Sequence, residues 1–160
     1  MTQLSSDTQA SLQAPQAEVG QSQIAQAVWL LARVGAGSLM IHNGLDKLAD
    51  VPGFANGVVK FIGFPFPEFF TYCAAYTEII ASILLIAGAF TRLSALALLF
   101  TMFIAIYFHL KKTGLSIPDF EMAGLYALFS LLFLVNGGGK FSIDALLTQW
   151  RTGTQKPLNS

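Results

Sequence analysis

Charge is what this chain has least of. Only 11% of its residues are Asp, Glu, Lys or Arg, against about 25% in a soluble domain. The formal net charge is +0 at pH 7, and no basic run exceeds the pair Lys111-Lys112. Such a chain has little with which to neutralise a phosphate backbone, so nucleic acid is not an expected partner. Cysteine is nearly missing as well. Cys73 stands alone, which rules out an internal disulfide or a C-x-x-C redox pair. No G-x-G-x-x-G follows a strand pattern. Gly137-Gly138-Gly139-Lys140 lacks the spacing of a phosphate loop and reads as a helix cap and turn. No H-x-x-x-H or E-x-x-H spacing supports a metal centre, and none is expected.

What fills the chain instead is apolar. Hydrophobic residues make up 54%, and the mean hydropathy is +0.58. Composition and length point to one compact membrane domain. Residues 1–22 are rich in Gln, Ser, Thr and Ala and read as a disordered polar tail. The membrane domain is expected over 23–148, with a C-terminal tail over 149–160.

Four spans are predicted within that domain. The first runs from about Ile24 to Leu48. The second begins at Pro67, a good first-turn residue, and ends at Phe90. The break Thr91-Arg92 leads into a third span, Leu93 to Leu110. Ser116-Ile117-Pro118-Asp119 reads as the capped start of the fourth, which stops at Asn136-Gly137. Between the first two spans, Phe54, Val58, Phe61 and Ile62 recur at helical spacing and predict an interfacial half-helix. Ser142 is placed to cap a short surface helix carrying Ile143, Leu146, Leu147 and Trp150. The expected fold is therefore all-α: a four-helix transmembrane bundle with short interfacial helices. Both termini fall on one side, expected to be cytoplasmic. The Lys and Arg count on the two sides is even and gives no direction.

The candidate site residues are the polar groups inside these spans. Glu78 lies in the middle of the second apolar run. A charge at the centre of a span costs roughly 2.5–3.5 kcal/mol on insertion scales. Ala74, Ala75, Ala81 and Ser82 share its face, so it is expected to meet a neighbouring helix. Aligning helix centres puts Arg33 about 5 Å from mid-depth, which predicts an Arg33–Glu78 ion pair. Arg33 shares its own face with Gly37, Gly44 and Lys47. A second polar level is predicted nearer the loops, from His42, Tyr72, His109 and Glu121. Those groups fit a proton-linked site, a metal site, donors to a quinone carbonyl, or side chains reaching for headgroups.

Several stretches resemble the DoxX family of small membrane proteins. Leu31-Ala32-Arg33-Val34-Gly35 and His42-Asn43-Gly44-Leu45-Asp46-Lys47 are similar to its R-x-x-x-G and H-G-x-x-K segments. Gly63-Phe64-Pro65-Phe66-Pro67 leads into the segment from Glu78 to Arg92, and Gly137 to Asp144 resembles its G-x-G-x-x-S-x-D close. Asn43 departs from the pattern, since the family often has His directly before the Gly. The resemblance implies a four-helix bundle in the bacterial cytoplasmic (inner) membrane, and a subunit of a quinone-linked redox complex. No haem, flavin or iron–sulfur motif is evident, so quinone is the one cofactor it suggests. Partners would be the bilayer and either other redox subunits or further copies of the chain. Two other functions stay open: a membrane scaffold without activity of its own, and a small proton-linked transporter.

Overall fold

The computed structural model describes residues 23–114 and 116–153. The expected tail 1–22, and the tail from residue 154 onwards, lie outside them. The long helices are α1 (Gln23–Ala49), α3 (Pro67–Ala87), α4 (Thr91–Thr113) and α5 (Ile117–Asn136). A shorter apolar helix, α2 (Val51–Ile62), follows α1, and α6 (Ile143–Gly153) ends the described chain. Among the described residues there is no strand.

α1, α3 and α4 are each long and apolar enough to cross a membrane. α5 has 20 residues, a length of roughly 30 Å at about 1.5 Å per residue. Leu39, Ile80, Phe100, Phe103, Leu128 and Leu132 point outwards. Such a surface is unfavourable in water and matched by hydrocarbon. The expected all-α membrane bundle is the fold observed.

Glycine and proline punctuate the helices. Pro67 opens α3, and Gly88 closes it in the left-handed conformation, with its N–H directed at the carbonyls of Leu84 and Leu85. The α3–α4 turn is therefore Gly88-Ala89-Phe90, and Thr91 and Arg92 belong to α4, not to the break. Ser116 stands at the start of α5, as the sequence predicts, but its side chain makes no capping bond. α6 continues through residues 149–153, where the sequence predicts a tail. Its N-cap is Ser142: the Ala145 N–H donates to Ser142 Oγ at 3.2 Å.

α1 and α3 pack through two complementary stripes. Arg33, Ala36, Gly37, Met40 and Gly44 are buried on α1. Thr71, Ala75, Glu78, Ala81, Ser82 and Leu85 are buried on α3. The small residues let the backbones approach. A Cβ at Gly44 would lie 2.7 Å from Ile79 Cγ1 and 2.9 Å from the Ala75 carbonyl oxygen, and one at Gly37 would lie 2.5 Å from Ile86 Cγ1. These contacts set the register: Gly44 lies against the Ala75–Ile79 turn and Gly37 against Ser82–Ile86. α4 packs on α3 and α5 packs on α4. Trp29 of α1 meets Phe133 of α5 with ring centroids 4.8 Å apart, closing the bundle near its terminal end.

The expected half-helix is present as α2, but its middle, Ala55–Val59, is π-helical. Such turns are rare and concentrate at functional sites. Val51, Ala55 and Val59 are buried, which turns α2 inward against the loop end of the bundle.

Candidate functional site

The register of α1 on α3 decides which cation meets Glu78. With Gly44 beside Glu78, Lys47 is less than one helical turn further along α1. Its Nζ lies 2.6 Å from Glu78 Oε2 and also donates to the Asn43 carbonyl oxygen at 3.2 Å. The Glu78 side chain is 2% exposed and that of Lys47 16%. A buried carboxylate needs such a partner, because the desolvation of an unpaired charge is not otherwise offset. Lys47 also sits 5.3 Å from the centroid of the Phe54 ring on α2, a cation–π contact.

This pair forms part of the wall of a cavity of about 750 Å³. The lining is drawn from α1 to α5 and the loop after α2, and most of it is apolar. Its polar groups are few: Asn43, Lys47, Glu78, Thr101, His109 and Tyr126 stand out. An apolar chamber with a small set of polar groups is the usual form of a small-molecule site. Thr101 is committed elsewhere, donating to the Leu98 carbonyl at 2.8 Å. Lys47 has three N–H donors, and two of its bonds within the protein are assigned above.

The expected Arg33–Glu78 pair is not the one formed. Arg33 lies roughly 16 Å along the α1 axis from Gly44, too far up the bundle for its guanidinium to serve Glu78. Centring both helices at one depth misplaces them. α1 has 27 residues and α3 has 21, and the glycine contacts set the middle of α3 against the loop-side part of α1.

The second polar level is not assembled either. His42 faces outwards and sits 3.5 Å from Asp46, with side chains 72% and 62% exposed. Tyr72 stacks on Tyr76 at 6.3 Å on the outer face of α3. Glu121 is exposed. His109 alone of the four lines the cavity, its ring 5.1 Å from that of Phe108. Equal depth placed these residues together, and helical phase separates them.

Arg33 serves a different purpose. Its Nη1 donates to the Gly138 carbonyl and its Nη2 to the Phe141 carbonyl at 2.6 Å. Trp29 Nε1 donates to the Gly137 carbonyl at 3.0 Å. One planar fork thus ties the glycine turn after α5 to α1. Asp144 completes the clasp. Its two carboxylate oxygens accept the N–H groups of Phe90 and Thr91, each at 2.8 Å. Phe90 occupies the N-cap of α4 with φ 49° and has no capping side chain of its own, so Asp144 caps α4 from a distant segment. Burial pushes the Asp144 carboxyl up, but hydrogen bonds from Thr91 and Phe90, with the Arg33 charge, outweigh it and hold the group below the ordinary carboxylate range. No room is left for a side chain in the turns so joined: a Cβ at Gly138 would lie 2.7 Å from both Ser142 Cβ and Thr91 Oγ1.

Comparison with known proteins agrees with this architecture. A family model described as DoxX matches residues 28–110. The chain belongs to the DoxX family. The matched stretch holds Arg33, Lys47, Glu78 and His109, so both ends of the buried pair fall inside the DoxX match. The clasp residues Gly138 and Asp144 lie beyond it. A relative from Haemophilus influenzae, described as an uncharacterized protein, is 32% identical over 114 residues, covering 66% of this chain and 74% of that protein. No solved structure matches this DoxX chain.

Lys47, Asn43, Tyr126 and Asp144 are the site residues that sequence reasoning missed. For Lys47 the signal was present. It shares the Arg33–Gly37–Gly44 face and lies nearest the glycine that α3 needs. Asp144 stood in the closing motif, but nothing in the chain order says that it caps α4.

Proposed function

We propose that this DoxX protein is a four-span subunit of a quinone-linked redox complex in the bacterial cytoplasmic membrane, with both termini on the cytoplasmic side. The observation that carries this reading is the Lys47–Glu78 pair on the wall of an apolar cavity of about 750 Å³. A quinone ring is flat, apolar and bounded by carbonyl acceptors. Lys47, Asn43 and Tyr126 offer donors to such carbonyls, and His109 offers one or an acceptor according to tautomer. When bound, the quinone serves as a two-electron, two-proton acceptor, and the electrons come from a partner subunit. Within this chain, Glu78 holds the Lys47 ammonium at the cavity wall and is itself a group able to carry a proton. The apolar remainder of the wall excludes water from the head group and strengthens its hydrogen bonds.

The test is to purify the intact chain from native membranes and to identify the lipids and proteins that accompany it. Quinone retained by the wild-type chain, and depleted in Glu78→Gln, supports the reading. A preparation that is free of quinone and does not take it up contradicts it.

A scaffold without activity is the second reading, and the Arg33–Asp144 clasp favours it. Every bond of that clasp ends on the protein itself. A scaffold requires the clasp but has no use for the donor set in the cavity. The same quinone measurement separates the two.

A further inference from the structure

The cavity at Lys47 and Glu78 has a neighbour. A second hollow, of about 700 Å³, opens on the outer surface between α3 and α4. It is almost wholly apolar, and Phe69, Tyr72, Tyr76, Ile80, Leu84 and Leu93 are among its walls. The two hollows share Cys73, Thr77 and Ala97. Those three residues are therefore the partition between them, and none carries a large side chain. Ala97 and Thr77 are half-buried and Cys73 is exposed. The partition is a low sill between two helices.

Polarity is divided across that sill. The inner side holds the ion pair, Asn43, His109 and Tyr126. The outer side offers aromatic and aliphatic walls, including the stacked Tyr72 and Tyr76 rings. Its polar atoms are the phenol hydroxyls of Tyr72 and Tyr76, the Ser94 hydroxyl, which is buried and has no hydrogen-bond partner, and that of Thr77 on the sill itself. No charged group lines the outer side, whereas the ion pair lines the inner one.

We infer that the two hollows form one binding site for a long-tailed amphiphile. Its polar head lies in the inner cavity, and its alkyl or isoprenoid tail passes over Cys73, Thr77 and Ala97 into the groove between α3 and α4. This rests on the reading of the inner cavity as the quinone head-group site, and it adds the ligand class and the route. The chain takes its ligand sideways from the bilayer and selects for a tail. The outer groove is continuous with the hydrocarbon that surrounds these helices, so a tail leaving the inner cavity never meets water. The same geometry explains the small side chains at the sill: any large group there closes the route while leaving the head-group donors in place.

The experiment uses the full chain in lipid nanodiscs and two probes: a fully substituted benzoquinone bearing a decyl tail, with no free ring carbon for a thiol to add to, and the same ring with a methyl group in place of the decyl. Affinities are compared between wild type and Ala97→Phe for each probe, which cancels partition into the lipid. The expected result is a loss of roughly tenfold for the tailed probe, because its tail then has no path out of the head site, and no change for the tail-less one. Equal affinities of both proteins for the tailed probe overturn the proposal. So does a parallel loss for both probes, because the substitution then blocks the head site itself. Should wild type bind neither probe, the head-group reading fails first and this inference falls with it. If Ala97→Phe does not fold, Cys73→Phe fills the sill from its other wall. Wild type supplies an independent readout: labelling of Cys73 by an N-alkyl maleimide is slowed by the tailed quinone and not by the tail-less one. Equal protection by both, or by neither, overturns the proposal.

Discussion

Lys47 on α1 holds Glu78 on α3 at 2.6 Å, in the part of the bundle where both side chains are screened from the surroundings. The pair depends on a glycine. Gly44 brings the α1 backbone against α3, so that the Lys47 stem reaches the carboxylate without leaving its own helix face. A single small residue thus sets both the register and the charge balance.

The two partners are expected to fail singly and recover together. Removing one member of a buried pair typically costs about 3–5 kcal/mol, because the other is left desolvated and unpaired. Lys47→Met should therefore lower the unfolding midpoint of the purified protein sharply. Lys47→Met combined with Glu78→Leu should restore most of it. A double variant no more stable than Lys47→Met would show that Glu78 does not depend on Lys47. The same double variant should bind no quinone although it folds.

Two glycines on one helix should respond in opposite ways to alanine. A Cβ at Gly44 meets Ile79 and the Ala75 carbonyl, whereas one at Gly35 meets nothing within 4 Å. Gly44→Ala should destabilise by about 1–3 kcal/mol through overpacking. Gly35→Ala should be neutral or slightly stabilising, since Ala is the better helix former. Thermal unfolding of the two variants beside wild type is the check. Equal midpoints would contradict the α1–α3 register.

The guanidinium fork of Arg33 should not be replaceable by an ammonium. Arg33 serves two carbonyls at once, and lysine offers a point charge on a different stem. Arg33→Lys should release the turn after α5 and raise hydrogen exchange across residues 137–146. Exchange in α3 near Glu78 should stay as in wild type, because that carboxylate has its own partner. Loss of protection at Glu78 alone would restore the Arg33–Glu78 pairing that the sequence suggests.

Asp144 makes the clasp sensitive to acid. Its carboxyl sits below the ordinary range when folded, so its contribution is fully present above the unfolded value of about 3.9 and is lost as pH falls through the folded one. Wild type should therefore lose stability relative to Asp144→Asn as pH drops from about 5 towards 3. At neutral pH wild type should be ahead by about 1 kcal/mol, because an amide keeps only one of the two oxygens that accept the Phe90 and Thr91 N–H groups. Parallel pH profiles for the two proteins would show that the carboxylate is not what caps α4.

Much of the architecture was legible in the sequence, and the reasons are local. Pro67 and Gly137 mark helix ends through their own backbone chemistry, and the expected spans lie within a few residues of the observed bounds. Ser142 capped α6 for the same reason. The candidate site was harder because it depends on how one helix slides and turns against another. Equal depth pairs Arg33 with Glu78, whereas the contacts of Gly44 and Gly37 decide the match. Depth alone groups His42 and Tyr72 with His109, yet their helical phases point them outwards. Neither register nor phase is stated by hydropathy. The Gly37–Gly44 stripe was the one available clue, and Lys47 lay on it.

The most direct test of the central claim is a titration of the decyl-tailed quinone into the full-length chain in nanodiscs, followed for wild type and Lys47→Met beside empty discs. The expected result is saturable binding to wild type at one site per chain, weakened roughly tenfold or more in Lys47→Met through the loss of a charged hydrogen-bond donor. Uptake by wild type that does not saturate and equals that of empty discs would contradict it.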